Sequence, residues 1–436
     1  MTHKTDLKQV NRPFFIGIGG IGISAVARMF LGDGKKVSGS DLSDSEIISE
    51  LRKAGAVITI GQSADLVPKD CDLIIYTAAI EVAEPKLIAD LKKRNIKLLS
   101  YPQTLNLISK DKYTIAVSGT HGKTTTTAMI AKIMIDAGLD PTVIVGSLLK
   151  DSKSNFVAGK SGYFVVEACE YRRSFLNINP TIAVITNIDN DHLDYYKDMA
   201  DIAKAFGEFA SLVPKDGCVV ADLKNEHVRS ALKGVLAENK DYVAESDLGL
   251  NLRVPGKHNV QNAKAALAVA ELLGIKRDEA VRSLNGFRGT WRRFEFKGKT
   301  RSGAHVYDDY GHHPTEIRAT LSGAREIYPD NRLVVVFQPH LYSRTKLLLS
   351  EFATAFGLAD EIVLAPIYAA REEPDPEISS AILGKEIAAN NLKIKVGNMD
   401  TFADIERYLA DTLKKDDVLI TLGAGEANKI AENLVK

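Results

Sequence analysis

The stretch YTIAVSGTHGKTTTTAMIAKIMIDAG, Tyr113 to Gly138, decides the fold. Its first six residues alternate little and are mostly apolar, as in a strand buried on both faces. The run from Thr124 onward has helical length and ends at a glycine stop. Between them lies GTHGKT, in which Gly119 and Gly122 let the backbone curl so that amides face an anion at a helix N-terminus. Lys123 adds a point charge for terminal phosphates, and Thr124 a hydroxyl suited to Mg²⁺. The common P-loop spacing would put glycine at position 117, where Val117 stands, so this is the shorter GxxGK[ST] form. Strand before and helix after favour the phosphate reading over a chance match.

Working outward, the same rhythm of apolar runs and helical segments fills the chain and predicts α/β architecture with parallel sheets. FFIGIGG, KKVSGSD, AVITI, DLIIYTAA and IKLLSY give strands before position 108. YFVVEA, TIAVITNI and GCVVADL continue the central unit, and AHVYDDY, RLVVVFQP, EIVLAPI and DVLITLGAG form a third. The expected domains are 1–108, Rossmann-like; 109–294, P-loop ATPase-like; and 295–436, Rossmann-like again. With 436 residues, two or three cores are expected. Lys+Arg and Asp+Glu are both 56, so no global charge argues for nucleic acid or an anionic membrane. Cys71, Cys169 and Cys218 form no zinc or disulfide pattern, and no apolar run is long enough for a membrane span. The polar start MTHKTDLKQVNRP does not read as a signal peptide, and a cytoplasmic protein is expected.

A second glycine-rich turn, GIGGIG from Gly17 to Gly22, opens the chain. With Asp41 at the end of the next strand it has the spacing of a nicotinamide fingerprint, and alone would indicate a dehydrogenase. Around the central loop, strand C-termini offer Glu167 and the run TNIDNDHLDYY, with Asn187, Asp189, Asp191, His192 and Asp194. Such residues often do no more than cap a turn; beside a phosphate loop they suit a Mg²⁺ crevice. In GKHNVQNAKAA, His258, Asn259 and Asn262 read equally well as helix caps or as amides for adenine.

GTHGKTTTT, EACEYRRSFL, TNIDNDHLDYY and PGKHNVQNAKAA together resemble the central domain of the Mur ligases, which build the peptide stem of bacterial cell-wall precursors. DDYGHHPTEI and QPHLYSRT in the third unit resemble the alanine-adding branch, and the likeness covers nearly the whole chain. It implies ATP-dependent joining of L-alanine to the lactyl carboxylate of UDP-N-acetylmuramate through an acyl phosphate, with ATP and Mg²⁺ required. UDP would then lie on Gly17, Gly19, Gly20, Gly22, Ser40 and Asp41, because amides at a helix start serve any pyrophosphate. ATP would lie on Gly119, Thr120, His121, Gly122, Lys123, Thr124 and Thr125, with Asn262, Arg293 and Asp309 also contributing. The resemblance implies Thr124, Glu167 and His192 for metal. It implies Tyr310, His312, His340 and Arg344 for the amino acid, with Lys123 catalytic and His340 or His312 as base. His312 and His313 can also be read as mere turn residues before Pro314, but two adjacent imidazoles beside DDY weigh against a purely structural role. No membrane or nucleic-acid partner is implied, and the chain would act as a monomer or homodimer.

The match is imperfect in places. EACEYRR replaces the commoner EADES-type run, leaving the roles of Arg172 and Arg173 open, and Leu341 stands where many relatives carry arginine. Phe206 and Gly207 occupy the register of the carbamylated lysine of other Mur ligases, as the alanine-adding branch would have it. Asp222 to Val254 is short, and the boundary near Arg292 to Glu295 is expected to act as a hinge. The rivals are a ligase that attaches murein tripeptide to the same nucleotide, a nicotinamide-dependent oxidoreductase, and a non-catalytic nucleotide-binding regulator.

Overall fold

A computed structural model describes residues 6–150, 152–192, 195–370 and 372–435. Asp194 lies outside the described residues. The described residues form three sheets, each mostly parallel. The first has the order β3-β2-β1-β4-β5, built from β1 (Pro13–Ile16), β2 (Ser38–Asp41), β3 (Val57–Ile60), β4 (Leu73–Tyr76) and β5 (Lys97–Ser100). Order reverses beside β1, so the crevice beyond its C-terminal end opens at the GIGGIG turn.

The central sheet has seven strands in the order β12-β11-β10-β6-β9-β7-β8. They are β6 (Tyr113–Ser118), β7 (Thr142–Leu149), β8 (Ser154–Val157), β9 (Tyr163–Glu167), β10 (Ile182–Ile185), β11 (Cys218–Ala221) and β12 (Glu238–Asp241). β6 pairs in parallel with β9 and β10, and five of its six residues are buried. This is why it reads as a continuous apolar run rather than an alternating one. The loop after β6 therefore emerges between the ends of β9 and β10, where Glu167 and Thr186 sit.

The third sheet has the order β13-β14-β18-β15-β16-β17. It comprises β13 (Glu295–Lys299), β14 (His305–Asp309), β15 (Leu333–Phe337), β16 (Glu361–Leu364), β17 (Lys395–Asn398) and β18 (Val418–Leu422). β15 and β18 are buried throughout. Two strands of the set run antiparallel to a neighbour, β8 against β7 and β13 against β14.

The chain divides into two compact units. One comprises 1–250 and 262–286, the other 251–261 and 287–436. The first two sheets thus share a unit. Within it the helix Ile21–Gly32, which begins at the GIGGIG turn, packs on β7 and β8. Asn155 of β8 donates its amide to the Ile21 carbonyl and, at 2.9 Å, to Ser24 Oγ. The helix Tyr101–Ser109 closes the first sheet with a capping box between Ser100 and Gln103. No helix among the described residues is long and apolar enough to cross a membrane.

Candidate active site

The phosphate loop is assembled in the first unit. Gly119 has φ +132 and Gly122 φ +82. A Cβ at Gly119 would lie 2.0 Å from Thr186 Oγ1, and one at Gly122 would lie 2.4 Å from Asn262 Oδ1. Only glycine meets both the dihedral and the space requirement at these positions. The loop is laced to the residues after β10. Thr120 N–H donates to the Asn187 carbonyl (3.1 Å), His121 N–H to Asn187 Oδ1 (2.9 Å), and Asp189 N–H to Thr120 Oγ1 (2.9 Å). His121 Nε2 lies 3.1 Å from Asp189 Oδ2. Asn187 and Asp189, read from sequence as possible metal oxygens, both bond to the loop.

Lys123 begins the helix Lys123–Asp136 and turns back over the loop. Its Nζ donates to Gly119 O (2.5 Å), Thr120 O (3.0 Å) and Glu170 Oε1 (2.9 Å). Burial alone would lower the ammonium pKa, but the carboxylate of Glu170 outweighs it and holds Lys123 above its ordinary value. Glu170 is itself buried; burial pushes its carboxyl up, while Lys123 and His192 pull it below the usual range. His192 Nε2 is 3.5 Å from Glu170 Oε1. Glu170 is the residue that sequence reasoning missed. Its only signal was an acid three positions after Glu167, inside a run set aside as unusual.

Of the residues expected at a metal, Thr124 and Glu167 are together. Thr124 Oγ1 donates to Glu167 Oε1 at 3.1 Å, and Gly146 N–H holds Glu167 Oε2 at 2.8 Å. His192, with φ +58, reaches the Lys123–Glu170 pair through Glu170 Oε1. Thr125 is buried in the first turn of the loop's helix. Asn262 Oδ1 accepts from Thr126 Oγ1 at 3.2 Å and packs against Gly122. Arg173, left open from sequence, pairs with Asp201 and Glu208.

In the first sheet Gly17 (φ +73) and Ile18 donate their amides to the Ser40 carbonyl at 2.8 and 3.1 Å. Asp41 Oδ2 accepts from the Gly19 amide at 2.8 Å. Gly20 caps the helix Ile21–Gly32 without a side-chain bond. A Cβ on Gly22 would meet the Tyr101 ring at 2.8–3.0 Å.

The second unit gathers the remaining candidates. Tyr310 and His312 rings are 5.4 Å apart, His312 and His340 5.6 Å, and Arg344 Nη1 is 3.1 Å from His340 Nδ1. The Arg293 guanidinium lies 5.2 Å from the Tyr310 ring centroid. His313 caps the helix Pro314–Ile327 with Glu316, so the plainer turn reading holds for this histidine. Leu341 is buried with φ +70 at the start of the helix Tyr342–Leu347. Asp309 accepts the Phe294 and Gly311 amides, both at 2.7 Å, and burial raises its carboxyl to about 6 against the pull of Arg293. Arg292, beside the expected hinge, is fastened to Asp308 and to the Gly423 and Gly425 carbonyls, so the segment Arg292 to Glu295 is part of the C-terminal sheet's frame.

A GTHGKT loop at a parallel sheet, a glycine turn in a preceding sheet, and a third sheet carrying a cluster of His, Tyr and Arg define an acid–amino-acid ligase scaffold. Three family descriptions match in order: Mur ligase family, catalytic domain, over 14–113; Mur ligase middle domain over 117–242; and Mur ligase, glutamate ligase domain, over 292–425. The chain belongs to the Mur ligase family. It is 43% identical over 457 residues, 99% of each chain, to the UDP-N-acetylmuramate–L-alanine ligase of Clostridium tetani, and 43% identical to that of Clostridium kluyveri over 96% of each. Among solved structures, the UDP-N-acetylmuramate–alanine ligase of Thermotoga maritima superposes with TM-score 0.81 at 29% identity, covering 97% of this chain and 98% of its own. A murein peptide ligase of Psychrobacter arcticus shares the fold at TM-score 0.73 and 24% identity, over 97% and 98%.

Proposed function

We propose that the chain joins L-alanine to the lactyl carboxylate of UDP-N-acetylmuramate, spending ATP and releasing ADP and phosphate. The observation that carries this reading is full-length likeness, 43% over 99% of both chains, to an enzyme so named. Domain limits of 1–108, 109–294 and 295–436 go with it, as do a cytoplasmic setting and a monomeric or dimeric state.

A carboxylate is a poor electrophile. Transfer of the γ-phosphoryl group to it gives an acyl phosphate; the alanine amine then attacks that carbonyl and phosphate leaves. The protein's share is positioning and charge stabilisation. The loop residues suit a triphosphate: Gly119 and Gly122 hold a tight positive-φ turn packed flush against Thr186 and Asn262, and the Lys123 ammonium lies on the loop carbonyls of Gly119 and Thr120. Thr124 and Glu167 fit a hard divalent cation, being a hydroxyl and a carboxylate 3.1 Å apart. Bound there with His192 nearby, Mg²⁺ would neutralise phosphate charge. Lys123 would meet the developing charge on the transferred group. Gly17 to Gly22, with Ser40 and Asp41, would hold the uridine diphosphate, and Asn262, Arg293 and Asp309 the nucleoside of ATP. Arg344 would take the alanine carboxylate, and His340, 3.1 Å from it, or His312 the ammonium proton.

The test is phosphate release with ATP and UDP-N-acetylmuramate, supplied with alanine, each other common amino acid, or murein tripeptide. Alanine-dependent release that is lost in Lys123→Ala is expected. Release with tripeptide alone, or near-normal turnover in Lys123→Ala, refutes the assignment.

A further inference from the structure

We propose that Glu170 makes the phosphate loop selective for a cation-bound triphosphate, by serving Lys123 as an internal counter-anion that a bare triphosphate cannot displace. This rests on the ligase reading above, but concerns binding rather than turnover.

All three protons of the Lys123 ammonium are committed to the protein, two to loop carbonyls and one to Glu170. The Glu170 side chain is only 3% exposed. Its backbone is pinned where the carbonyl accepts from Tyr196 Oη and from the Arg173 amide (2.9 Å), and its carboxylate is kept in place by burial and by Lys123 and His192 on Oε1. The two residues beyond Tyr171, Arg172 and Arg173, hold left-handed φ values of 53 and 56, a strained turn that persists only where surroundings fix it. The second carboxylate oxygen, Oε2, is buried and has no hydrogen-bond partner among the described residues. Buried oxygens are nearly always satisfied, so this one marks a place completed by something else.

A terminal phosphate arriving at Lys123 therefore arrives beside a fixed carboxylate in a site of low dielectric. Like charges at that range repel strongly, and a divalent cation accompanying the phosphates reverses the sign. Glu170 thus makes cation and nucleotide bind as one. Its positioning role differs from the roles of Glu167 and Thr124, which face each other rather than the lysine.

The experiment is titration calorimetry of the full chain with ATP, in excess EDTA and in excess Mg²⁺, for wild type, Glu170→Gln and Glu170→Asp. Wild type and Glu170→Asp should bind far more weakly without the cation. In Glu170→Gln, metal-free affinity should rise by about tenfold or more relative to wild type, while affinity with Mg²⁺ moves less. If the glutamine variant does not fold, Glu170→Ser, which leaves room for water beside Lys123, carries the same expectation. An unchanged ratio of the two affinities in the neutral variants overturns the inference, as does wild type binding equally well in EDTA; both leave the ligase reading standing. Wild type that binds no ATP under either condition overturns both.

Discussion

Replacing Arg292 by alanine tests how the C-terminal sheet is held. Its guanidinium donates through Nε to Asp308 Oδ2 (2.8 Å), through Nη1 to Gly425 O (2.9 Å) and through Nη2 to Gly423 O (2.6 Å). Arg292 is 5% exposed and Asp308 fully buried. Burial already raises the Asp308 carboxyl, against the opposing pull of Arg292. Removing the arginine leaves that carboxyl with Thr421 Oγ1, 2.7 Å away, as its remaining side-chain donor. Breaking one side of a buried pair costs about 3–5 kcal/mol, chiefly from the charge left behind. The left-handed φ of +56 at this position strains alanine as well, so no relief offsets the loss. At about 2–4 °C per kcal/mol for a unit of this size, the melting point should fall by roughly 6–20 °C. The assay is built in: the single tryptophan, Trp291, lies with its ring 5.8 Å from the Arg292 guanidinium, so its fluorescence follows this unit. Adding Asp308→Asn should restore about half of the loss, because the uncompensated charge is gone. The Tyr310 amide rests on the Arg292 carbonyl at 2.8 Å, so KM for the amino acid should also rise. A single variant within about 1 kcal/mol of wild type, or a double variant no better than the single, refutes the reasoning.

Gly122→Ala places a methyl 2.4 Å from Asn262 Oδ1 at φ +82; nucleotide affinity by calorimetry should fall at least about tenfold, with stability lowered by about 1–3 kcal/mol. Gly22→Ala drives a methyl into the Tyr101 ring and should raise KM for the sugar nucleotide without moving KM for ATP, and Tyr101→Ala in the same chain should recover much of the loss. Asp309 binds its proton more tightly folded, near pH 6, than unfolded, near pH 4, so its contribution to stability is greatest below about pH 4 and is lost as pH rises to about 6. That window corresponds to about 3 kcal/mol, and denaturant midpoints of Asp309→Asn should slope less steeply with pH than wild type across it.

Much of this was legible in sequence because the chemistry is local. The strand–loop–helix at Tyr113 to Gly138 is specified by its own residues, and the structure keeps it. The three α/β sheets follow from apolar runs such as LVVVF and VLITL, which are buried along their whole length. What escaped were edge strands and paired partners. β12 has the sequence ENKD and β17 KVGN; neither is apolar, and each is a strand only because a buried neighbour offers it a ladder. β7 carries Gly146 in its interior, where the glycine amide is needed at Glu167. The pairing of Lys123 with Glu170 spans 47 positions and has no spacing to read. Arg292 and Arg293 are adjacent in WRRFEF, and only the backbone turn at φ +56 decides that the first points inward.

The amide of Asn155, clasping the first turn of the helix that leaves GIGGIG, has a practical corollary. It ties the helix that leaves GIGGIG to the sheet that carries the GTHGKT loop, within one compact unit, so the reach between the uridine diphosphate and the adenosine triphosphate proposed for the two loops would be set like the gap between the jaws of a fixed spanner. A double-headed inhibitor joining the two nucleotides should show a sharp optimum in tether length, with shorter and longer tethers both losing potency steeply.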